Sequence, residues 1–390
     1  MSLRSAGTDR LPDRNAGIDL VRGISIVLVV IHHTSLRIPL IKTNLSAILP
    51  KQFLVGLSSD GYEAVFVFFV VSGFLITTNS IKRSTSLDHL DPRTFYVRRA
   101  ARILPCLLLL VAVLALLDLA GTSNYAIARA DQSLPGAVLA ALGFYLNWYE
   151  GHTGYLPGGW DVLWSLSIEE VFYLGFPLVC LLSGRYRSFQ TLLFATLALS
   201  LPVSLSALAH ALEIWREKAY LPGMAAISMG VCTALLVSTR SGLKNGRLAM
   251  AAGYLGTAAL AVLFLWEDAV YRLLGNGTML MLTGSVALLL AAFQWGWGHR
   301  FTAKGTGWLR SFGALSYEIY LTHMFVVFSV VGLFHLSGAS LRSGWLWFIL
   351  VLTVSWCLGR LVDRTLSSSA DRWIRARFAV SSRTRTPATA

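Results

Sequence analysis

The chain has 390 residues, of which 55% are apolar and only 14% charged, with a mean hydropathy of +0.61 and a formal net charge of +13. Soluble domains carry about 25% charged residues, so this composition excludes an ordinary aqueous globule and points to a membrane protein. The apolar residues fall in windows of roughly 17 to 24, the length of a helix crossing a hydrocarbon core about 30 Å thick. That excludes a β-barrel, and it makes membrane topology, not nucleic-acid binding, the first reading of the basic excess.

Residues 1–16 form a polar N-terminal segment without the apolar core of a signal peptide. The first span, 17–36, opens with GIDLVRGISIVLVVIHHTS. Asp19 and Arg22 stand three positions apart on one helix face, where a structural ion pair is the simplest reading. His33 follows Asp19 by 14 residues, close to four helical turns, so it shares that face near the outer end, while His32 points elsewhere. A packing histidine and a working one both remain open. After a second span at 61–80, the stretch IKRSTSLDHLDPRTFYVRRAARILP leads into a third at 103–120 and carries Arg98, Arg99 and Arg102. Clustered arginines here mark topology or anionic lipid, or else a phosphate clamp built from guanidinium forks.

The segment PGAVLAALGFYLNWY, 135–149, is too short to cross and is expected to be re-entrant or interfacial, with Trp148 and Tyr149 at the surface. The span 161–183 contains VLWSLSIEEVFYLGFPLVCLL, with two adjacent carboxylates at a depth where each ionisable group costs about 2.5–3.5 kcal/mol. Ser165, Glu169 and Phe172 share one stripe; Ser167, Glu170, Tyr173 and Pro177 share another. Projecting about 100° apart, the carboxylates do not form a shared-proton dyad, so one is free to face a cavity while the other pairs with a cation.

Spans follow at 190–210, 222–238, 248–266, 276–295, 312–335 and 344–362, then a basic tail, 366–390, ending in a polar SSRTRTPATA. The ninth span aligns Ser316, Tyr320 and His323 at spacings of four and three, a polar seam that helix–helix hydrogen bonding alone would explain. With both termini cytoplasmic, 25 of the 33 Lys and Arg fall inside and 8 outside. The expected fold is therefore all-α, a polytopic bundle of about ten transmembrane helices forming one membrane domain, 17–365. Cys106, Cys180, Cys232 and Cys357 lie in apolar windows without ligand spacing, so no metal site or disulfide framework is expected. At about 1.5 Å per residue, Glu169 lies roughly 12 Å and His33 roughly 5 Å below the outer end, and His323 near the midplane.

Five stretches, GIDLVRGISIVLVVIHH, VFVFFVVSGFLIT, FYVRRAARILP, LWSLSIEEVFYLGFP and GALSYEIYLTH, run in order across residues 17 to 323. Together they resemble the integral-membrane acyltransferase type 3 family, which includes O-antigen, exopolysaccharide and macrolide O-acyltransferases. The resemblance implies a ten-helix bundle in a bacterial plasma (inner) membrane. It implies transfer of an acyl group, commonly acetyl from acetyl-CoA, to a hydroxyl of a sugar or related acceptor. On the matching motifs, the family histidine falls on His33, the inner arginines on Arg98, Arg99 and Arg102, the glutamate on Glu169 followed by Glu170, and the opening acid and base on Asp19 and Arg22. The sequence departs from the family at Phe66, where many members have Asp, at LPGMAAISMG, which lacks an arginine, and at Asp363, Arg364 and Thr365, where a proline-containing element is usual.

The resulting expectation has acyl-CoA as co-substrate and no tightly bound cofactor. Its phosphates rest on the arginines, while His33, oriented by a carboxylate such as Glu169, takes the proton of the acceptor hydroxyl. Tyr320 or His323 steadies the oxyanion, Glu170 is the structural partner, and Ser165 or His33 is the carrier if an acyl-enzyme forms, although direct transfer is preferred. The acceptor is a carbohydrate or lipid-linked glycan, with a small molecule as a second option; nucleic acid is not expected, and nothing in the pattern specifies an oligomeric state. The rival is a proton-coupled transporter of a polar or glycan substrate, since buried Asp, Glu and His also mark proton paths. The arginine cluster separates the two, because a transporter has no need of CoA.

Overall fold

Each long apolar window is helical in the computed structural model, which describes residues 15–184, 186–239, 246–299 and 305–378. The polar N-terminal stretch up to residue 14 and the SSRTRTPATA tail lie outside these residues. About 81% of the described residues are helical, with no strand among them. In chain order the helices are α1 (Ala16–Ser35), α2 (Lys51–Ser59), α3 (Gly61–Ser84), α4 (Pro92–Leu119), α5 (Leu134–Leu142), α6 (Leu146–Thr153) and α7 (Leu163–Leu182). They continue as α8 (Arg187–Leu199), α9 (Leu201–Ala207), α10 (Glu213–Lys218), α11 (Tyr220–Thr239), α12 (Arg247–Leu274) and α13 (Gly277–Gln294). Last come α14 (Gly307–Ala314), α15 (Ser316–Leu336), α16 (Trp345–Val362) and α17 (Ser368–Arg377).

Nine helices among the described residues are long and apolar enough to cross a membrane, and ten if α8 and α9, bent by 43° at Ser200, count as one span. This is the multi-pass bundle that the hydropathy windows imply. The segment 135–149 resolves into the short pair α5 and α6, broken at Phe144, whose φ of 59° no continuous helix accommodates.

One boundary differs from expectation in a way that matters. α4 begins at Pro92, not near 103, because the Asp91 carboxylate accepts from the Arg93 and Thr94 amides and Pro92 suits the first helical turn. Arg98, Arg99 and Arg102 therefore project from the body of a long helix and not from its first residues. Beyond α16, the helix continues through a π-helical stretch, Asp363–Ser367, into α17, so residues 366–377 are helical.

Lipid tails are as apolar as leucine, so these helices associate through close packing. Glycines decide where that is closest. A Cβ on Gly73 of α3 would collide with the Ile227 carbonyl of α11, and one on Gly230 of α11 with the Val70 carbonyl. At the other contact, Gly23 of α1 abuts the Leu309 carbonyl of α14, and Gly313 of α14 abuts the Asp19 carbonyl. These two contacts fix α3 and α1, the helices that carry Ser72 and His33, against the rest of the bundle.

Candidate active site

α1, α3, α4, α7 and α15 surround a cavity of about 1020 Å³. Arg98, Arg99 and Arg102 line it near the start of α4, and Asp19 and Arg22 line it near the start of α1. Arg22 stands 3.8 Å from Asp19 and donates to the Ser316 hydroxyl at 2.8 Å, tying α1 to the first residue of α15. Arg102 lies 5.7 Å from the centre of the Tyr317 ring. Further in, the wall is formed by Ser72, Ser165, Glu169 and Tyr320.

The two adjacent carboxylates part company. Glu170 pairs with Arg99 at 3.2 Å, and the Arg99 guanidinium lies 3.6 Å over the face of Tyr173. Glu169 lines the cavity, where its carboxylate accepts from the Tyr173 hydroxyl at 2.9 Å and from the Ser72 hydroxyl. Tyr173, grouped with Glu170 by stripe, thus serves both: its hydroxyl reaches back one turn to Glu169, and its ring takes up Arg99. Both of the Glu169 bonds fall on one oxygen, Oε1, and among the described residues Glu169 makes no bond to His33, so the expectation that Glu169 orients His33 is not met.

The group beside His33 is another imidazole. The rings of His33 and His323 are 5.1 Å apart, and the Tyr320 ring is 6.0 Å from that of His323. His323 is fully buried. Its Nδ1 lies 2.8 Å from the Tyr320 carbonyl and 3.2 Å from that of Ile319. Carbonyls only accept, so this nitrogen carries the proton and Nε2 keeps its lone pair. Nε2 has no hydrogen-bond partner among the described residues. His32 is occupied elsewhere, its Nδ1 at 2.8 Å from the Ser58 carbonyl. Tyr320 is the hinge of the arrangement: its hydroxyl meets that of Ser165 at 2.6 Å on the cavity wall, and its ring backs onto the imidazole pair.

Past the imidazoles lies a charged cluster that sequence reasoning missed. Lys218, only 2% exposed, bonds Glu150 at 2.9 Å and also Asp161. Glu150 is fully buried and accepts from the Leu156 amide at 3.0 Å as well. Burial holds its carboxyl above the usual carboxylate range, against the opposing pull of Lys218. Arg37, one residue beyond the cap of α1, donates to the His33 carbonyl at 2.9 Å and lies 4.5 Å over Phe328. Glu150, Asp161 and Lys218 come from α6, the loop after it and α10, so no local period announces them; the one cue was a lysine and a glutamate in outer segments otherwise rich in aromatics.

An arginine-lined cavity has a hydroxyl pair, Ser165 and Tyr320, on its wall and an imidazole pair behind Tyr320. Residues 15–360 match the family described as "Acyltransferase domain". The chain belongs to this acyltransferase family. Curated relatives match over a shorter stretch. A Staphylococcus aureus (strain COL) protein named "Putative O-acetyltransferase" is 30% identical over 173 residues, 42% of this chain and 24% of that protein. The O-acetyltransferase OatA of Staphylococcus aureus (strain NCTC 8325 / PS 47) is 29% identical over 174 residues, again 42% and 24%. The match thus spans about a quarter of the length of these relatives. No solved structure matches the chain. Type 3 acyltransferase membership agrees with the five motifs, all of which fall inside the matched residues.

Proposed function

We propose that the protein is a membrane O-acetyltransferase that moves an acetyl group from cytosolic acetyl-CoA to a hydroxyl of a glycan or lipid-linked sugar. The observation that carries the reading is the single cavity of about 1020 Å³ that has Arg98 and Arg102 in one part of its wall and Ser165 and Tyr320 in another. Guanidinium forks there hold the donor phosphates. The acyl end extends toward the Ser165–Tyr320 pair, whose hydroxyls are free to turn one O–H onto a developing oxyanion.

His33 acts as general base from the other side of Tyr320. The acceptor oxygen attacks the thioester carbon, its proton passes to the His33 imidazole, the C–S bond breaks, and the thiolate leaves to be protonated in turn. His323 replaces the expected carboxylate as the neighbour of His33: its Nε2 lone pair is available to receive a hydrogen bond from the imidazolium that forms. Arg99 and Glu170 act on the framework, since each already holds the other. Charges from Lys218, Asp161 and Arg37 frame the outer approach, where the acceptor enters.

Purified protein in nanodiscs, given acetyl-CoA with and without a soluble glycan oligomer, tests this. Thiol release that depends on the glycan, with acetyl recovered as an ester, is the expected outcome. Uptake of a glycan driven by a proton gradient, with no thiol released, would instead make it a transporter.

A further inference from the structure

The family match ends at residue 360, yet Arg375 of α17 lines the same cavity as Arg83 and Arg98. α16, the π-helical stretch and α17 together run 33 residues, about 50 Å, which overshoots a hydrocarbon core of about 30 Å. The overshoot packs α17 against α4. Arg83 closes α3, Arg98 sits in the second turn of α4, and Arg375 arrives from α17, so three separate elements bring guanidiniums to one concave wall. Their charges act on one another: Arg98 and Arg375 on Arg83, and Arg375 on Arg98.

Asp371 offsets part of this, bonding Arg375 at 2.7 Å and acting on Arg98. A partly exposed i, i+4 pair is a weak interaction and does not explain why like charges gather inside a cavity. Arg99 takes no part, being committed to Glu170 and Tyr173. Arg102, by contrast, lies one turn beyond Arg98 along α4, toward the helix interior.

Coenzyme A carries a diphosphate near its middle and a 3′-phosphate on the ribose at the end opposite the thioester. The terminal monoester presents three free oxygens and close to two charges, which suits guanidiniums converging from several directions. We propose that Arg83, Arg98 and Arg375 form a distal subsite for the 3′-phosphate of the donor, completed by a helix that lies outside the matched family segment. The inference rests on the donor reading above.

The test compares binding of acetyl-CoA and 3′-dephospho-acetyl-CoA to the full chain in nanodiscs of neutral and of anionic lipid. The wild type is expected to prefer the 3′-phosphorylated donor by about tenfold, as befits charged hydrogen bonds. Arg375→Ala and Arg83→Ala should each bring that preference close to one, and Arg375→Lys should keep part of it, which separates lost charge from lost fold. Arg102→Ala should weaken both donors alike. An undiminished preference in Arg375→Ala and Arg83→Ala would overturn the subsite. So would an effect seen only in anionic bilayers, which would give these arginines to a lipid headgroup. A wild type that binds neither donor would instead overturn the donor reading itself, and the subsite with it.

Discussion

The hydroxyls of Ser165 and Tyr320 meet 2.6 Å apart on the wall of the arginine-lined cavity, on helices that are otherwise far apart in sequence. Because the Tyr320 ring also backs onto His323 and thence His33, this contact is the junction between the donor side and the base side of the proposed reaction.

Replacing Tyr320 with Phe removes the junction hydroxyl and leaves the ring. Acetyl transfer should fall about a hundredfold, the cost of losing an oxyanion donor, with donor binding little changed. Ser165→Ala should cost less. Complete loss in Ser165→Ala, together with an acetylated Ser165 peptide in the wild type by mass spectrometry, would replace direct transfer with a covalent route.

The adjacent glutamates should separate by phenotype. Glu170→Gln strands the Arg99 charge and should destabilise the fold by about 3 kcal/mol, as breaking a buried pair does, measured by denaturant unfolding in detergent. Glu169→Gln keeps its shape and its cavity position, so it should lower activity with a much smaller loss of stability.

Lys218 is the shared cation between the buried Glu150 and Asp161. Lys218→Met should destabilise the protein by about 3–5 kcal/mol, and adding Glu150→Gln should recover part of the loss in a double-mutant cycle.

Asp60, just before α3, is buried near Glu267, and both burial and that charge push its carboxyl up to about 7. A carboxyl raised in the folded state favours the fold most when both states are protonated. Its contribution is present below about pH 4 and is lost as pH climbs through about 7. Stability should therefore decline over that range, and Asp60→Asn should flatten this part of the curve.

The presence of the spans, the approximate number of crossings and five motif blocks were legible because hydrophobic windows and local spacing are properties of the sequence itself. So was the unequal character of Glu169 and Glu170, since an offset of about 100° argues against a shared-proton dyad and leaves one free to line a cavity while the other pairs with a cation. Two things were not. The true start of α4 was hidden because its polar, arginine-rich first turns fall outside the apolar window until Asp91 is recognised as its cap. The true neighbours of Glu169, His33 and Lys218 come from α3, α15 and α6 with the loop after it, and contacts between such distant segments leave no trace in periodicity. Arg375 was read as part of a basic tail for the same reason: nothing local says that α17 reaches the cavity.

The central claim is that His33 is the base that activates the acceptor. Single-turnover acetyl transfer by His33→Ala, measured beside equilibrium acetyl-CoA binding on the same preparation, tests it most directly. Transfer reduced by about 10²–10⁴-fold, the contribution of a general base, with donor affinity unchanged, is the expected result. Full transfer by His33→Ala would contradict it.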